Sequence, residues 1–463
     1  MHEFDVFVIG TGTAGETAAA MLREAGLSVG IADEREFGGT CALRGCQPKK
    51  YLVVPSHAAL EAQGLTERGF VSAPQLDWSV IQRSRKGFTD AVPKGTEEGL
   101  KNQGITIFYE RCSFVDGSTV QCGSETITAR RFLIANGARP RPLPIPGGEH
   151  ALTSDDFLSL PEMPKHITFI GGGYISMEFA TVAAAAGAQV TVLQRGDRVM
   201  DRFDPDLVEE LQKGCAAHSI RVITQANTQS IARHGSDRYA IQLAPGARQP
   251  DGTTTETETT LETDLVFAAL GRVSNADTLN LEVTDVTVGR GGIETDTAMQ
   301  TSASSIYAVG DCVAGIQLSP VSDTEARTAA RNIIADLQDA GSGAARTHLD
   351  LAPLPTVVFT YPQLAQFGMT ETEARDRGGV RINTGSGAGW PNYQRLNESH
   401  VAYKVMIDES TDQILGAHIL APQAGELINL LALAARQGTP AAEFREIPWA
   451  YPTYASDLKY MLG

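Results

Sequence analysis

The sequence predicts an α/β fold that contains two Rossmann-like βαβ units, each of a kind that binds a dinucleotide. A glycine-rich loop follows a short apolar strand near the N-terminus, and the same design returns 161 residues later. Two cysteines five residues apart follow the first of these loops. A chain of 463 residues is too long for one hydrophobic core, so we expect about two to four domains.

The first unit runs from a strand at residues 5–9 through Gly10, Gly12 and Gly15 into a helix. Such glycines permit a tight turn, and they let a pyrophosphate approach the helix N-terminus. The next strand ends at Asp33, where a carboxylate is placed to accept hydrogen bonds from ribose hydroxyls. The unit therefore predicts a site for an adenosine with a free ribose.

The second unit repeats these positions with a constant offset. Its first two glycines are Gly171 and Gly173, and Gln194 stands where the first unit has its carboxylate. The change removes repulsion of a 2′-phosphate, and the guanidinium groups of Arg195 and Arg198 can bind that phosphate through paired hydrogen bonds. The second unit therefore predicts NADPH, with NADH less favoured.

Cys41 and Cys46 bring two thiols close to the first dinucleotide site. Cysteines five apart on a regular helix point about 140° away from each other. Gly45 and Pro48 are expected to break the helix and let the chain bend, and a disulfide in such a bend is readily reduced. The alternatives are two unrelated buried thiols or half of a zinc site, but no second cysteine pair or nearby histidine in the sequence completes a tetrahedral metal set.

The composition excludes several classes of partner. The formal net charge is −17 at pH 7, which argues against nucleic acid and against anionic membrane surfaces. No apolar run approaches the length that spans a membrane, and the acidic N-terminus runs directly into a strand instead of a secretory signal. We therefore expect a cytoplasmic protein, where a catalytic disulfide is permitted and a permanent structural one is not expected.

Taken together, the motifs resemble those of the class I pyridine nucleotide–disulfide oxidoreductases, the group of glutathione reductase and dihydrolipoamide dehydrogenase. The resemblance covers nearly the whole chain. The resemblance is specific because several separated motifs occur in the same order as in the family. Beyond the glycine loops and the cysteine pair, it rests on short segments at residues 134–137, 153–155, 271–272 and 307–311.

The resemblance implies the domain organisation. The protein is expected to be a homodimer with FAD and NADPH as cofactors. Two Rossmann-like domains are joined by an α+β dimerisation domain at the C-terminus. The expected limits are residues 1–150 and 271–347 for the FAD-binding domain, 151–270 for the NAD(P)H-binding domain and 348–463 for the dimerisation domain.

The resemblance also assigns roles to single residues. Electrons are expected to pass from NADPH through FAD and the Cys41–Cys46 disulfide to a substrate, with Cys46 facing the flavin and Cys41 attacking the substrate. Lys49 and Glu178 match an ion pair near the flavin, and Tyr174 matches a ring that covers the nicotinamide pocket. The other expected cofactor-binding residues are Gly39, Thr40, Gly137, Ser154, Gly271, Arg272, Gly310 and Asp311.

The C-terminal segment departs from the family pattern. Disulfide reductases of this group carry a histidine before a proline and a glutamate five residues later, and this pair moves the proton of the attacking thiol. Here Tyr451 and Ser456 occupy the two positions, and Asp457 is one position off. A tyrosine with a pKa of about 10 is a poor base at neutral pH, whereas histidine titrates near about 6.5. Tyr451 is left as a hydrogen-bond donor or acid, or as a packing residue at the dimer interface.

Three functions are compatible with these residues. The first is an NADPH-dependent flavoprotein that reduces a low-molecular-weight disulfide. The second is a reductase of metal ions or quinones, since mercuric reductases also carry a tyrosine near this position, although the last residues here, 460–463, hold no cysteine pair. The third is a redox-sensing or assembly flavoprotein with little turnover of its own.

Some further residues are predicted to serve packing. Cys112 and Cys122 flank a predicted turn at residues 116–118 and are expected to be core or hairpin thiols. Cys215 and Cys312 are expected to be buried. The C-terminal part also contains two aromatic residues and one basic residue close together in sequence, Trp390, Tyr393 and Arg395. They are predicted either to line the mouth of a substrate site or to pack the interface domain.

Overall fold

The computed structural model describes residues 1–235, 238–338 and 345–463. It divides the chain into two compact units, and each unit is assembled from three separate stretches of sequence. The first unit comprises Met1–Tyr51, Arg83–Arg141 and Gly271–Leu351. The second unit comprises Leu52–Gln82, Pro142–Leu270 and Ala352–Gly463.

The secondary structure of the described residues is evenly mixed between strands and helices. The strands are β1 (His2–Ile9), β2 (Val29–Ala32), β3 (Thr106–Phe108), β4 (Cys112–Asp116), β5 (Thr119–Cys122), β6 (Glu125–Ile134), β7 (Ala138–Pro140), β8 (His166–Ile170), β9 (Gln189–Leu193), β10 (Ile220–Ile223), β11 (Thr228–His234), β12 (Arg238–Leu243), β13 (Thr259–Thr263), β14 (Leu265–Ala268), β15 (Arg272–Ser274), β16 (Val288–Gly289), β17 (Gly292–Ile293), β18 (Ile306–Ala308), β19 (Thr356–Val358), β20 (Gln363–Gly368), β21 (Val380–Ser386), β22 (Ala402–Asp408) and β23 (Ile414–Ala421). The α-helices are α1 (Thr13–Glu24), α2 (Gly39–Leu43), α3 (Cys46–Gly64), α4 (Trp78–Thr89), α5 (Val92–Asn102), α6 (Ser154–Leu158), α7 (Tyr174–Ala185), α8 (Pro205–Ala217), α9 (Ser319–Gln338), α10 (Glu371–Arg377), α11 (Pro391–Gln394), α12 (Ala424–Gln437), α13 (Ala441–Glu446) and α14 (Tyr454–Met461). Short 3₁₀ turns lie at Thr66–Arg68, Gly148–His150, Ala276–Thr278, Leu281–Val283 and Gly310–Cys312.

The first unit is built on a seven-stranded sheet in the order β3-β2-β1-β6-β5-β4, with β18 also paired to β6. Strands β3, β2, β1, β6 and β18 run parallel, whereas β5 and β4 form an antiparallel hairpin at one edge. Helix α1 turns the small side chains of Ala14, Ala18 and Ala19 into the core, which lets it lie close to other elements. The parallel strands place the glycine loop after β1 at the carboxyl edge of the sheet, where ligands bind in such folds.

The second unit contains three sheets. A parallel sheet in the order β10-β9-β8-β14 carries the second glycine loop after β8. An antiparallel sheet joins β11, β12 and β13, and a five-stranded antiparallel sheet has the order β19-β20-β23-β22-β21. Helix α12 buries Leu427, Ile428 and Leu431 in the core of the C-terminal part.

A buried charge cluster lies within the second unit. The side chain of Lys404 on β22 is only 3% exposed, and its ammonium lies 3.0 Å from Asp204 and 2.6 Å from Asp206. It also pairs with Glu371 at the start of α10. Several carboxylates offset the desolvation of one ammonium, because each supplies a charge-assisted hydrogen bond.

The internal repeat is as regular in three dimensions as in sequence. Helices α1 and α7 have the same length of 12 residues and begin 161 positions apart. The residues that precede them have nearly identical backbone angles, φ −78° at Gly12 and φ −79° at Gly173. The predicted α/β fold class with two Rossmann-like units is therefore confirmed. The predicted limits of three domains stay a prediction.

Candidate active site

The first glycine loop tolerates no side chain at two of its positions. Gly10 has φ +115°, and a Cβ there would lie 2.2 Å from the carbonyl oxygen of Ala135. A Cβ on Gly15 would lie 1.9 Å from the carbonyl oxygen of Gly10. Asp33 holds the loop, because its Oδ2 accepts hydrogen bonds from both the N–H and the hydroxyl of Thr11 at 2.8 Å. The loop is thus fixed in a turn that leaves its backbone bare beside the N-terminus of α1.

The start of α2 closes on the same loop. A Cβ on Gly39, whose φ is +65°, would lie 2.3 Å from the Cα of Gly12. The two backbones therefore approach as closely as glycines allow. Thr40 follows Gly39 in the first turn of α2.

The second loop reproduces these contacts with one substitution. A Cβ on Gly171, whose φ is +105°, would lie 2.5 Å from the carbonyl oxygen of Ala269. Gln194 takes the place of Asp33 in bracing the loop, since its Oε1 accepts a hydrogen bond from the N–H of Gly172 at 3.0 Å. Ser176, at the position of Gly15, donates its hydroxyl to the carbonyl of Gly171. A hydrogen bond here replaces the close backbone contact of the first loop.

The two arginines after Gln194 differ in their surroundings. The side chain of Arg195 is exposed, whereas Arg198 is half-buried and donates to the carbonyl of Asp201 at 2.8 Å. The Nε of Arg198 is buried and has no hydrogen-bond partner among the described residues. Tyr174, the first residue of α7, is 43% exposed.

The two cysteines lie on either side of a break between helices. Cys41 is inside α2, which ends at Leu43, and Cys46 is the first residue of α3. Gly45 lies in the break: before it, the N–H of Arg44 still donates to the carbonyl of Thr40 in α2 at 2.8 Å, and its own carbonyl accepts a hydrogen bond from the N–H of Lys49 in α3 at 3.0 Å. The prediction that Pro48 also breaks the helix is wrong, because it lies in the first turn of α3, where the missing N–H of a proline has no intrahelical partner to lose.

The thiols of Cys41 and Cys46 are hydrogen-bonded to each other, which makes them chemically unequal. The hydrogen bond from Cys41 lowers the pKa of Cys46 to about 6, with further help from Ser319 and from the charge of Lys49, and against the effect of burial. The same hydrogen bond, together with burial, raises the pKa of the Cys41 thiol above its ordinary range. At neutral pH the reduced pair therefore holds one thiolate on Cys46 and one proton on Cys41.

Ser319 is a site residue that the sequence analysis missed. Its Oγ lies 3.2 Å from the Sγ of Cys46, although 273 residues separate the two in sequence. It also hydrogen-bonds with Cys41, as does Thr13 in the first turn of α1. Two hydroxyls thus assist the thiols at the start of α9 and of α1. No short motif around Ser319 signals this contact, which only the fold creates.

A second missed residue supports the segment at residues 310–311. Glu325 on α9 is buried, and its Oε2 accepts a hydrogen bond from the N–H of Gly310 at 2.6 Å. Burial, and to a lesser degree the nearby charge of Asp311, raises the pKa of Glu325 to about 7. Burial also raises the pKa of Asp311, and the charge of Arg272 opposes this rise. Gly310 itself has φ +77°, so the turn that presents Asp311 needs a glycine.

The other predicted cofactor-binding residues lie at turns and helix starts of their own units. Gly137 and Gly271 have φ +66° and +88°. Arg272 donates to the carbonyl of Ala138. Ser154 is the first residue of α6, directly after the Thr153 cap.

Lys49 and Glu178 fall in different units, and their predicted pairing stays a prediction. Lys49 lies in the first turn of α3, where its charge lowers the pKa of Cys46. Glu178 is buried on α7, and its Oε1 accepts a hydrogen bond from the N–H of Phe359 at 2.8 Å. Each residue is therefore held in place within its own unit.

In the C-terminal segment, the side chain of Tyr451 is 73% exposed. Ser456 is buried, and its hydroxyl donates to the carbonyl of Thr453 at 2.6 Å as part of the cap of α14. Asp457 is buried as well, with its Oδ2 accepting a hydrogen bond from Asn392 at 2.8 Å. Burial raises the pKa of Asp457. Both side chains are engaged in local structure.

The aromatic and basic candidates are mostly used in packing. Tyr393 is fully buried and Trp390 stacks near it and near Tyr403, so the two form part of the C-terminal core. Arg395 donates to Asn392 at 2.8 Å. Arg44, between the two cysteines, pairs with Glu36 at 3.0 Å.

Among the described residues, no group of three or more His, Cys, Asp or Glu side chains is arranged to hold a metal ion. Within the same part of the chain, no helix combines the length and the apolar character needed to cross a bilayer.

The family models and the relatives that this chain resembles all point to one protein family. Residues 4–329 match the family model for pyridine nucleotide-disulphide oxidoreductases, and residues 354–462 match the dimerisation domain of that family. Glutathione reductase from Nostoc sp. is 32% identical over 99% of this chain and 99% of its own. Glutathione reductase from Burkholderia cepacia is 33% identical over 98% of each chain.

Two further likenesses are more distant. Mercuric reductase from Staphylococcus aureus is 30% identical, over 99% of this chain and 81% of its own. A solved structure of RclA from Escherichia coli, described as an HOCl-induced flavoprotein disulfide reductase, has a TM-score of 0.86 and 24% identity, and the match covers 100% of this chain and 99% of RclA. This structural likeness supports the fold.

The unequal thiols predict a specific titration. We expect the reduced dithiol to lose its first proton with an apparent pKa of about 6, well below the value of about 8.5 of an ordinary cysteine. The physical reason is that the thiol of Cys41 donates a hydrogen bond to the thiolate of Cys46. The measurement is the ultraviolet absorbance of the thiolate during a pH titration of the reduced protein.

Two variants make this titration decisive. Cys46→Ser removes the low-pH step, whereas Cys215→Ser leaves it in place because Cys215 is buried elsewhere. If the unmodified protein loses its first thiol proton at the ordinary cysteine value of about 8.5, the assignment of a low-pKa thiolate to Cys46 is contradicted.

Proposed function

The chain belongs to the pyridine nucleotide-disulphide oxidoreductase family, and from this premise we propose that it reduces a low-molecular-weight disulfide with electrons from NADPH. The enzyme is a flavoprotein disulfide oxidoreductase that depends on FAD and a pyridine nucleotide. The observation that carries the finer proposal is the unequal dithiol, with a thiolate on Cys46 and a protonated thiol on Cys41.

The residues of the first unit fit FAD. When bound, FAD supplies two-electron exchange between a pyridine nucleotide and a neighbouring disulfide. The bare backbone at Gly10, Gly12 and Gly39 suits a pyrophosphate at the N-terminus of α1, because a Cβ at Gly10 or Gly39 would strike neighbouring backbone. Asp33 and Asp311 would hold the hydroxyl-bearing parts of the cofactor.

The dithiol performs the substrate step by thiol–disulfide exchange. The sulfur of Cys41 attacks one sulfur of the substrate disulfide, which forms a mixed disulfide and releases one thiolate. The sulfur of Cys46 then attacks Cys41, which restores the Cys41–Cys46 disulfide and releases the second thiolate. The substrate gains two electrons, and the dithiol loses the same two electrons and its single proton, which passes from Cys46 to a product thiolate.

The first step requires Cys41 to lose its proton, and the dithiol can hold that proton itself. The hydrogen bond between the thiols gives this proton a path from Cys41 to the thiolate of Cys46 as attack begins, and the transfer costs free energy because the Cys46 thiolate is the weaker base of the two. Hydroxyls of Ser319 and Thr13 hydrogen-bond with Cys41 and stabilise its thiolate form. Tyr451 then serves as an acid toward the leaving thiolate and not as a base. This division of roles accounts for the missing histidine and glutamate.

The C-terminal part supports a homodimer. Residues 354–462 match a dimerisation domain, and Tyr451 is highly exposed within the chain. We propose that Tyr451 approaches the substrate site of the partner subunit. A cytoplasmic location stays a prediction.

Mutation of Cys41 tests the proposed function. Cys41→Ser should reduce turnover of disulfides by roughly 10³-fold or more, because it removes the attacking sulfur. Reduction of the flavin by NADPH should continue, since that step does not need Cys41. Both rates are measured by stopped-flow and steady-state absorbance. Cys215→Ser is the matched control with unchanged turnover, and full disulfide reduction by Cys41→Ser would overturn the proposal.

Arg195 tests the preference for NADPH. Its guanidinium is exposed and follows Gln194, where no carboxylate repels a 2′-phosphate. Arg195→Leu should raise KM for NADPH by about 10-fold, as expected for loss of a charge-assisted hydrogen bond, and leave KM for NADH nearly unchanged. Arg233→Leu, at an exposed position on β11, is the control. Equal effects on the two nucleotides would contradict the assignment.

The alternative is a reductase of soft metal ions or quinones. It is favoured by the likeness to mercuric reductase and by Tyr451, since a metal acceptor needs thiolates but no histidine base. Metal-dependent NADPH oxidation that needs both Cys41 and Cys46 would support the metal variant. Acceptor reduction that survives loss of both cysteines would support direct transfer to a quinone. Absence of NADPH turnover with every acceptor would support the third function, a redox-sensing or assembly flavoprotein.

A further inference from the structure

Cys112 and Cys122 face each other across the hairpin of β4 and β5. Both side chains are buried, and neither is bridged to another cysteine. Each thiol donates a hydrogen bond to the same carbonyl oxygen, that of Glu110, at 3.9 Å from Cys112 and 3.8 Å from Cys122. The two sulfurs therefore converge on one point.

The register of the hairpin brings the two residues as close as strand pairing allows. The N–H of Gly123 donates to the carbonyl of Arg111 at 3.3 Å. In an antiparallel ladder this bond encloses a non-hydrogen-bonded pair, which here is Cys112 with Cys122. Opposite Cα atoms at such a pair lie about 4.5 Å apart, with side chains close together. This spacing is inside the range of about 4.4–6.8 Å that disulfides span.

The hairpin holds this geometry firmly. The turn is fixed by Asp116, which accepts hydrogen bonds from the N–H and the hydroxyl of Ser118. On the outer side of β4, the N–H of Phe114 donates to the carbonyl of Leu279 at 2.8 Å. Little chain entropy remains to be lost when the sulfurs join, and little rearrangement is needed.

Cys112 and Cys122 lie at the open end of the hairpin, next to exposed residues. The neighbouring residues 109–111 and 123–124 are exposed, so a small opening of this end admits a small oxidant. The same end adjoins the segment at residues 33–37, which follows β2. Tyr109 stacks on Phe37 with ring centres 4.4 Å apart, and Arg111 lies 3.8 Å from Glu34.

We propose that Cys112 and Cys122 form a second, non-catalytic redox pair that closes to a cross-strand disulfide under peroxide. It is distinct from the Cys41–Cys46 pair in position and in role. Its closure ties β4 to β5 and fixes the segment that packs beside residues 33–37.

The step balances with hydrogen peroxide as the oxidant. One thiol, as its thiolate, attacks a peroxide oxygen, which forms a sulfenic acid and releases hydroxide, and the hydroxide takes up the proton that the thiol had lost and becomes water. The second sulfur attacks the first, the S–O bond breaks, and a second water leaves. The two cysteines lose two electrons and two protons in total, and one peroxide becomes two waters.

The chemistry also predicts a slow reaction in the resting state. A hydrogen bond with the neighbouring thiol of Cys122, together with burial, raises the pKa of Cys112 above its ordinary range, and the negative charges of Asp33 and Glu110 add to this rise. Closure should therefore follow sustained peroxide and not compete with catalysis. Once formed, the disulfide is shielded from reductants.

Peptide mapping tests the proposal directly. Trypsin cleaves after Arg111 and Arg130, so residues 112–130 form one peptide that contains both cysteines. The full-length Cys41→Ser/Cys46→Ser variant is treated with hydrogen peroxide, denatured, alkylated and digested. We expect peptide 112–130 to lose both alkylation sites and two hydrogens in mass, while Cys215 and Cys312 remain alkylated.

A variant and a second readout keep the result interpretable. In Cys122→Ser, Cys112 should remain alkylated at the peroxide dose that closes the pair, because its partner is missing. The thermal midpoint should rise on peroxide treatment only in the protein that retains both residues. The proposal fails if peptide 112–130 keeps both alkyl groups until Cys215 and Cys312 are also oxidised.

Discussion

The hydrogen bond between Cys41 and Cys46 is the interaction on which the proposed chemistry of this protein depends. It exists because the helix is interrupted at Gly45, which brings together two sulfurs that a regular helix would hold apart. The bond concentrates negative charge on Cys46 and keeps the proton on Cys41. Ser319, through a hydrogen bond, and Lys49, through its charge, lower the pKa of Cys46 further. A dithiol prepared in this way can exchange with a disulfide and can also hold the transferred proton within the pair, so the absence of a histidine base is compatible with turnover.

The two glycine loops show how one design is adapted to two ligands. Asp33 and Gln194 brace their loops through equivalent hydrogen bonds, which means that each side chain serves the fold as well as any ligand. A glutamine in this place keeps the brace and removes the charge. Ser176 follows the same logic, because its hydroxyl bonds with a carbonyl where the first loop has a close contact with Gly15. The second site can therefore lose a carboxylate and a glycine without losing its turn.

Much of this architecture could be predicted from the sequence, because the glycine spacing and the Cys-x4-Cys pattern are local, and the glycine spacing recurs at a fixed offset. The residues that the sequence analysis missed act across long separations. Ser319 reaches the dithiol from 273 residues away, and Glu325 supports Gly310 through a buried bond that no motif encodes. The mutual position of Cys112 and Cys122 depends on strand register, which the predicted turn at 116–118 only suggests. The prediction about Pro48 failed because the effect of a proline depends on its place in the helix. Ser456 stands at the position of the family's glutamate and Asp457 one position beyond it, and their hydrogen bonds with Thr453 and Asn392 are visible only in three dimensions.

The most direct test of the account is an anaerobic titration of the purified protein with NADPH, followed by visible absorbance and by counting free thiols. If electrons pass through Cys41 and Cys46, we expect the first two electrons to generate two new thiols per chain and a long-wavelength absorbance band from a thiolate beside oxidised flavin. Addition of a suitable disulfide should then remove both signals. Bleaching of the flavin without that band and without new thiols would contradict the central claim, because Cys41 and Cys46 would then lie outside the path of the electrons.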